Sequence, residues 1–286
     1  MHRYKLYSYL IRIALVGVFL GLPLYGFYLY KTNTYGDDAL QAGRYDYGEF
    51  EPSCAVGEKT GASGSTAELK TSTGIVYSVK TPENYDPTFG HPLLVVFAPT
   101  FSGALMEKYV GLTKGATEAG FVIVYVDGRP LTLSVIKEYG RVPPEVIRQW
   151  CIDEKRVYFT GHSDGGTVSS ALAFLEDSTF RPTAIAPSAA GISAPEFTEM
   201  QCPAPLPVMI MHNKGDTHFP GFGQEAADWW AKCNQCDPVV TPTDGGNCVS
   251  YQNCASGKET LYCEVEGGHI NWPRLNDEMI GFFSRN

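Results

Sequence analysis

Val157-Tyr-Phe-Thr-Gly-His-Ser-Asp-Gly-Gly166, running into Thr167–Glu176, is the stretch on which the fold of this chain turns. Val157–Thr160, β-branched and aromatic, reads as a short buried strand, and Thr167–Glu176 carries a helical pattern. Between them Gly161-His-Ser-Asp-Gly165 is Gly-x-Ser-x-Gly in the strand, sharp turn and helix setting that the motif requires. The glycines have a steric reason. A helix folded back this tightly over its strand brings together the Cβ positions two residues either side of the serine. Ser163 is then expected in a strained backbone conformation that lifts its Oγ clear of the sheet. The helix N-terminus behind it supplies donors and positive potential where an oxyanion forms. The bland alternative is a glycine-rich turn whose serine merely caps the helix.

Working outward, short apolar runs alternate with helical patterns. Strands are expected at Ile75–Val79, Leu93–Phe97, Phe121–Val126, Val157–Thr160, Thr183–Ala186, Val208–Met211 and Leu261–Val265. Helices are expected at about 104–119, 143–150, 167–176, 223–232 and 274–283. This alternation implies an α/β fold, with a mainly parallel sheet covered by helices on both faces. Sites in such sheets lie outside the carboxyl ends of the strands.

A nucleophilic serine needs a base, and the base needs an orienting acid. Of six histidines, His2 is near the N-terminus, His91 lies in a loop before a strand, His212 ends a strand and His218 follows it. His162 sits inside the turn. His269 fits the base: it follows the last strand, after two glycines that let the loop bend. The acid belongs between Ser163 and His269, after a strand, and Asp216 leaves the strand Pro207–His212 in the turn Asn213-Lys-Gly-Asp216. Asp228, in a helical pattern, and Asp244, in a cysteine loop, are worse placed. Of the two oxyanion donors expected, one is the backbone N–H of Asp164. The other comes from the loop after Leu93–Phe97, where Pro99 has no N–H, leaving Thr100 or Phe101, with Phe101 preferred.

The chain of 286 residues is 44% hydrophobic and 19% charged, which excludes a disordered polyelectrolyte or a coiled coil. Its net charge is −9, and the only basic residues before Asp37 are Arg3, Lys5, Arg12 and Lys31, so the remainder is more acidic still. A nucleic-acid partner is not expected. After a cytoplasmic tail at 1–12, residues 13–30 form an uncharged run expected to be a transmembrane signal-anchor. A cleaved signal peptide is the alternative, although no Ala-x-Ala-like site follows. Either reading exports the rest: a tether at 31–53 and a catalytic domain at 54–286. Eight cysteines fit export as disulfides, with zinc at Cys233-x-x-Cys236 the weaker alternative.

These pieces together resemble the exported esterases that group polyhydroxybutyrate depolymerases with feruloyl and acetylxylan esterases, the carbohydrate esterase family 1 type of α/β-hydrolase. The resemblance is carried by Pro92-Leu-Leu-Val-Val-Phe, Ala119-Gly-Phe-Val-Ile-Val-Tyr, Cys151-Ile-Asp-Glu-Lys-Arg-Val-Tyr-Phe-Thr-Gly-His-Ser-Asp-Gly-Gly, His212-Asn-Lys-Gly-Asp216 and Gly267-Gly-His-Ile-Asn-Trp-Pro273. It implies an α/β-hydrolase fold, Ser163 as nucleophile, Asp216 as acid and His269 as base, with no metal or cofactor. It also implies a disulfide between Cys236 and Cys254, and Trp272 as a candidate wall of the acyl pocket; His162, next to the nucleophile in sequence, is a second candidate substrate-binding residue. Two departures stand out. Pro99-Thr100 replaces the usual His-Gly, and one extra residue separates His269 from Pro273.

The expected activity is hydrolysis of a carboxylic ester, of feruloyl, acetyl or hydroxyalkanoate-oligomer type, through an acyl-enzyme. A serine peptidase or acyltransferase on the same fold is one rival, and a catalytically inactive surface-tethered binding domain is another.

Overall fold

The computed structural model describes residues 35–286. The tail expected at 1–12 and the anchor expected at 13–30 lie outside the described residues. Among the described residues no helix is long and apolar enough to cross a membrane.

Among the described residues ten strands form one sheet: β1 Ser65–Lys70, β2 Val76–Lys80, β3 His91–Phe97, β4 Val122–Val126, β5 Ile152–His162, β6 Ala184–Ser188, β7 Val208–Asn213, β8 Asp237–Pro242, β9 Cys248–Gln252 and β10 Thr260–Val265. Their spatial order is β1-β2-β4-β3-β5-β6-β7-β10-β9-β8. From β4 to β10 every neighbouring pair is parallel, and the flanking pairs are antiparallel. Parallel strands are covered on both faces, so they read as continuous apolar runs. Successive residues of β3 show it: Leu93, Val95 and Phe97 enter one core, Leu94 and Val96 the other.

The helices divide accordingly. Helices α4 (Val142–Gln149), α5 (Asp164–Phe174) and α7 (Phe222–Cys233) send Val146, Leu172 and Trp230 into the first core. Helices α1 (Gly103–Val110), α2 (Thr113–Glu118) and α8 (Asn276–Arg285) send Met106, Ala116 and Phe283 into the second. Two short helices, α3 (Leu133–Tyr139) and α6 (Ala194–Thr198), complete the connections.

The single helix expected over 104–119 is two. Gly111 ends α1 in the left-handed region at φ +60°, and a Cβ there would lie 2.1 Å from the Tyr35 ring. His91 begins β3 and is fully buried, its Nδ1 2.7 Å from the Gly120 carbonyl oxygen. The stretch expected as a tether, 31–53, lies against the domain from Tyr35 onward, and the compact unit spans Tyr35–Asn286. Its aromatics decide this: Tyr45, Tyr47 and Phe50 all make ring contacts with Phe89. The Gly43 N–H also donates to Thr117 Oγ1 at 2.7 Å.

All eight cysteines are paired, as Cys54–Cys151, Cys202–Cys233, Cys236–Cys254 and Cys248–Cys263. The Cys233-x-x-Cys236 pair is thus divided between two disulfides, one of them the bond the resemblance implied. Cys236–Cys254 closes the β8–β9 hairpin, and Cys248–Cys263 ties β9 to β10 at directly opposed positions. Every residue of β8 is exposed, so this edge strand is tied by covalent links and by its pairing with β9, which buries Tyr251 in the first core.

Candidate active site

Strand β5 ends at His162 and α5 begins at Asp164, leaving Ser163 alone at the corner with φ 55° and ψ −117°. The glycines leave no room for anything larger. A Cβ on Gly161 would lie 2.5 Å from the Gly165 carbonyl carbon, one on Gly165 1.9 Å from the Phe97 carbonyl oxygen, and one on Gly166 2.4 Å from the Ser188 carbonyl oxygen. The elbow is therefore wedged between the carboxyl ends of β3 and β6. Ser163 N–H donates to the Ser188 carbonyl at 3.0 Å, which fixes the corner from the β6 side.

Ser163 Oγ lies 3.0 Å from His269 Nε2, and His269 Nδ1 lies 2.8 Å from Asp216 Oδ2. A carboxylate only accepts, so Nδ1 carries the proton and Nε2 is free to accept from the hydroxyl. Asp216 leaves β7 in the turn after Asn213 and is 4% exposed. Burial works to raise its pKa, but N–H donation from Phe219 and His218 to Oδ1, together with His269, holds the carboxyl below its ordinary range. Asp228 is engaged elsewhere, with Tyr251 and Gln224, and Asp244 sits in an exposed turn.

For the oxyanion donors, the structure places Asp164 at the N-terminus of α5 and the Thr100–Phe101 segment just past the end of β3. Among the described residues none of the three N–H groups is engaged in a backbone hydrogen bond. Phe101 is half-buried, while Thr100 is exposed. The segment is held on its C-terminal side: Gly128 N–H donates to the Phe101 carbonyl at 2.8 Å, and Gly103 N–H donates to Asp127 Oδ1 at 2.6 Å.

The two expected pocket residues are corrected. His162 is 3% exposed and Trp272 5%, so neither offers a surface to a substrate. Trp272 Nε1–H donates to Asn276 Oδ1 at 2.8 Å, and its ring packs into the second core beneath the site. His162 Nε2 lies 2.7 Å from the His269 carbonyl oxygen and its Nδ1 2.9 Å from Ser188 Oγ. Strand alternation accounts for this: beside an outward Ser163, the side chain of His162 turns inward.

Several neighbours escaped the sequence reading. His212, buried, has its Nε2 3.8 Å from Asp216 Oδ2. The Asn213 side-chain amide donates to the carbonyls of Gly268 and Asn271. Phe219 sets its ring edge-on to His269 at 4.9 Å between centroids, and exposed His218 lies 4.7 Å from the same imidazole. The signal for His212 and Asn213 was their place at the end of a strand leading to the acid. Nothing in the local sequence singles out Phe219.

No family model matches the chain. In sequence it is 27% identical over 226 residues to feruloyl esterase B of Piromyces equi, covering 66% of this chain and 41% of that protein. To feruloyl esterase D of Neurospora crassa it is 25% identical over 220 residues, covering 68% of this chain and 73% of that protein. The chain thus spans less than half the length of the first relative. Among solved structures, acetyl xylan esterase from Aspergillus awamori superposes with a TM-score of 0.60 at 13% identity, covering 79% of this chain and all of that one. That likeness carries the fold alone. The chain shares the α/β fold with a mostly parallel central sheet of this esterase structure, and is similar in sequence to the two feruloyl esterases.

Proposed function

We propose that the protein hydrolyses carboxylic esters through an acyl-enzyme on Ser163. The observation that carries this is the continuous line from Ser163 Oγ through the His269 imidazole to Asp216, set on a strained elbow. Ser163 Oγ attacks the ester carbonyl carbon while His269 Nε2 takes its proton. Asp216 holds the tautomer and offsets the charge of the imidazolium. The N–H groups of Asp164 and Phe101 face the oxyanion, and the tetrahedral adduct collapses with proton return from His269 to the departing alcohol. Water activated by the same histidine then frees the acid. His218, Phe219 and Ile270, around His269, give the mouth an apolar and aromatic character that suits an acyl group of feruloyl or acetyl type. Oligomeric hydroxyalkanoate esters are the second substrate class to test.

Four disulfides support an oxidising compartment outside the cytoplasm. The uncharged run 13–30 is proposed as the anchor on its sequence alone. Hydrolysis of nitrophenyl acetate, methyl ferulate and hydroxybutyrate oligomers by the full chain, with Ser163→Ala alongside, tests the assignment. Turnover of one class that vanishes in the variant supports it, and turnover that survives refutes it.

A further inference from the structure

The loop that carries His269 is held in an unusual way. From Gly267 to Asn271 every backbone carbonyl accepts a hydrogen bond from outside this five-residue segment. Gly267 O accepts from Gly215 N–H at 2.9 Å, and Gly268 O from Asn213 Nδ2 at 3.0 Å. His269 O pairs with His162 Nε2 at 2.7 Å, Ile270 O accepts from Tyr109 Oη at 3.1 Å, and Asn271 O from Asn213 Nδ2 at 2.7 Å. Three side chains from three different elements, α1, β5 and β7, thus grip a segment with no secondary structure of its own.

We propose that His162 is a positioning residue for the His269 base, the central member of a clamp completed by Asn213 and Tyr109. Since the His269 carbonyl can only accept, His162 Nε2 carries the proton. Its Nδ1 then accepts from Ser188 Oγ–H, which fixes the ring plane. Ser188 also accepts the N–H of Ser163 through its own carbonyl. One short network therefore sets the positions of both the nucleophile and the base. His162 precedes the nucleophile by one residue and is hydrogen-bonded to the base through the base's main chain, the two rings standing 5.5 Å apart between centroids, so it fixes where the imidazole points without meeting the substrate. A loop of this kind, with a glycine pair before His269, has many alternatives to its observed path. Holding the main chain removes them before substrate arrives.

The inference rests on Ser163 and His269 forming the reactive pair, and the test separates the two. His162→Leu, His162→Gln and wild type are compared by steady-state ester hydrolysis and by the rate at which a fluorophosphonate labels Ser163. Hydrogen exchange of residues 266–273 is followed on the same proteins. In His162→Leu, kcat and labelling rate are expected to fall about 10- to 100-fold with KM little changed, as for a misplaced catalytic group. Exchange in the segment should rise. His162→Gln, whose amide nitrogen reaches the position of Nε2, should recover most of the labelling rate and protection. Equal labelling and exchange in all three proteins would overturn the clamp, as would equal loss in Leu and Gln with no change in exchange. Absence of labelling in wild type would instead overturn Ser163 as the nucleophile.

Discussion

Gly165 and Phe97 lie so close that a methyl group on the glycine would sit 1.9 Å from the phenylalanine's carbonyl oxygen. The nucleophile corner and the strand leading to the candidate oxyanion loop are thus in direct backbone contact. Moving one moves the other. Gly165→Ala is expected to destabilise the fold by about 1–3 kcal/mol through overpacking. It should also depress turnover by displacing the Thr100–Phe101 segment. Urea unfolding beside kcat measures both, and an unchanged protein would contradict the contact.

The acid should behave as an orienter. Asp216→Asn keeps the volume but offers His269 a group that can donate, which favours the wrong tautomer. By analogy with the same change in other triads, kcat should drop about 10⁴-fold with the fold intact. A loss under tenfold, with circular dichroism unchanged, would remove Asp216 from the role.

Acid stability follows from the buried histidines. Burial pushes the His162 imidazole down to about 4, with the His269 carbonyl opposing the shift. Burial also lowers His91 and His212. In the unfolded chain these rings take protons near 6.5. The unfolded state therefore binds more protons between about 6.5 and 4, and stability falls as pH drops through that window. His162 alone accounts for roughly 3 kcal/mol of this loss. Unfolding free energies at pH 7 and pH 4.5 should differ less in His162→Gln than in wild type. An equal pH slope would show that His162 is not buried and neutral.

Much of the site was legible because its chemistry is local. Ser163 is marked by glycines that no other residue can replace, and Asp216 and His269 by strands that end just before them. The rest depends on contacts distant in sequence. His162 and Trp272 carry groups suited to a pocket, yet pleat direction and core packing turn both inward. Residues 35–53 have the composition of a linker, but three aromatic rings found a partner in Phe89. Strand β1, Ser65–Lys70, is a half-exposed edge with a bulge at Glu68, and β8 has no buried residue at all. Neither shows the apolar pattern by which strands are recognised. Gly111 breaks a helical period because Tyr35 occupies the place of its side chain.

The disulfides should differ in worth. Cys54–Cys151 spans 97 residues and Cys236–Cys254 spans 18. On loop entropy the first contributes about 4.7 kcal/mol and the second about 3. Paired Cys→Ser substitutions, compared by thermal unfolding under oxidising conditions, should show the larger loss for Cys54 and Cys151. The reverse order would place the stabilisation in the β8–β9 hairpin.

The most direct measurement is the mass of the protein during ester turnover. Reaction with nitrophenyl acetate, quenched in acid within the first turnovers, should leave one acetyl group on the peptide containing Ser163. That group should be absent in Ser163→Ala. Turnover with no acyl group on Ser163, or with the group on another residue, would contradict the assignment of Ser163 as nucleophile.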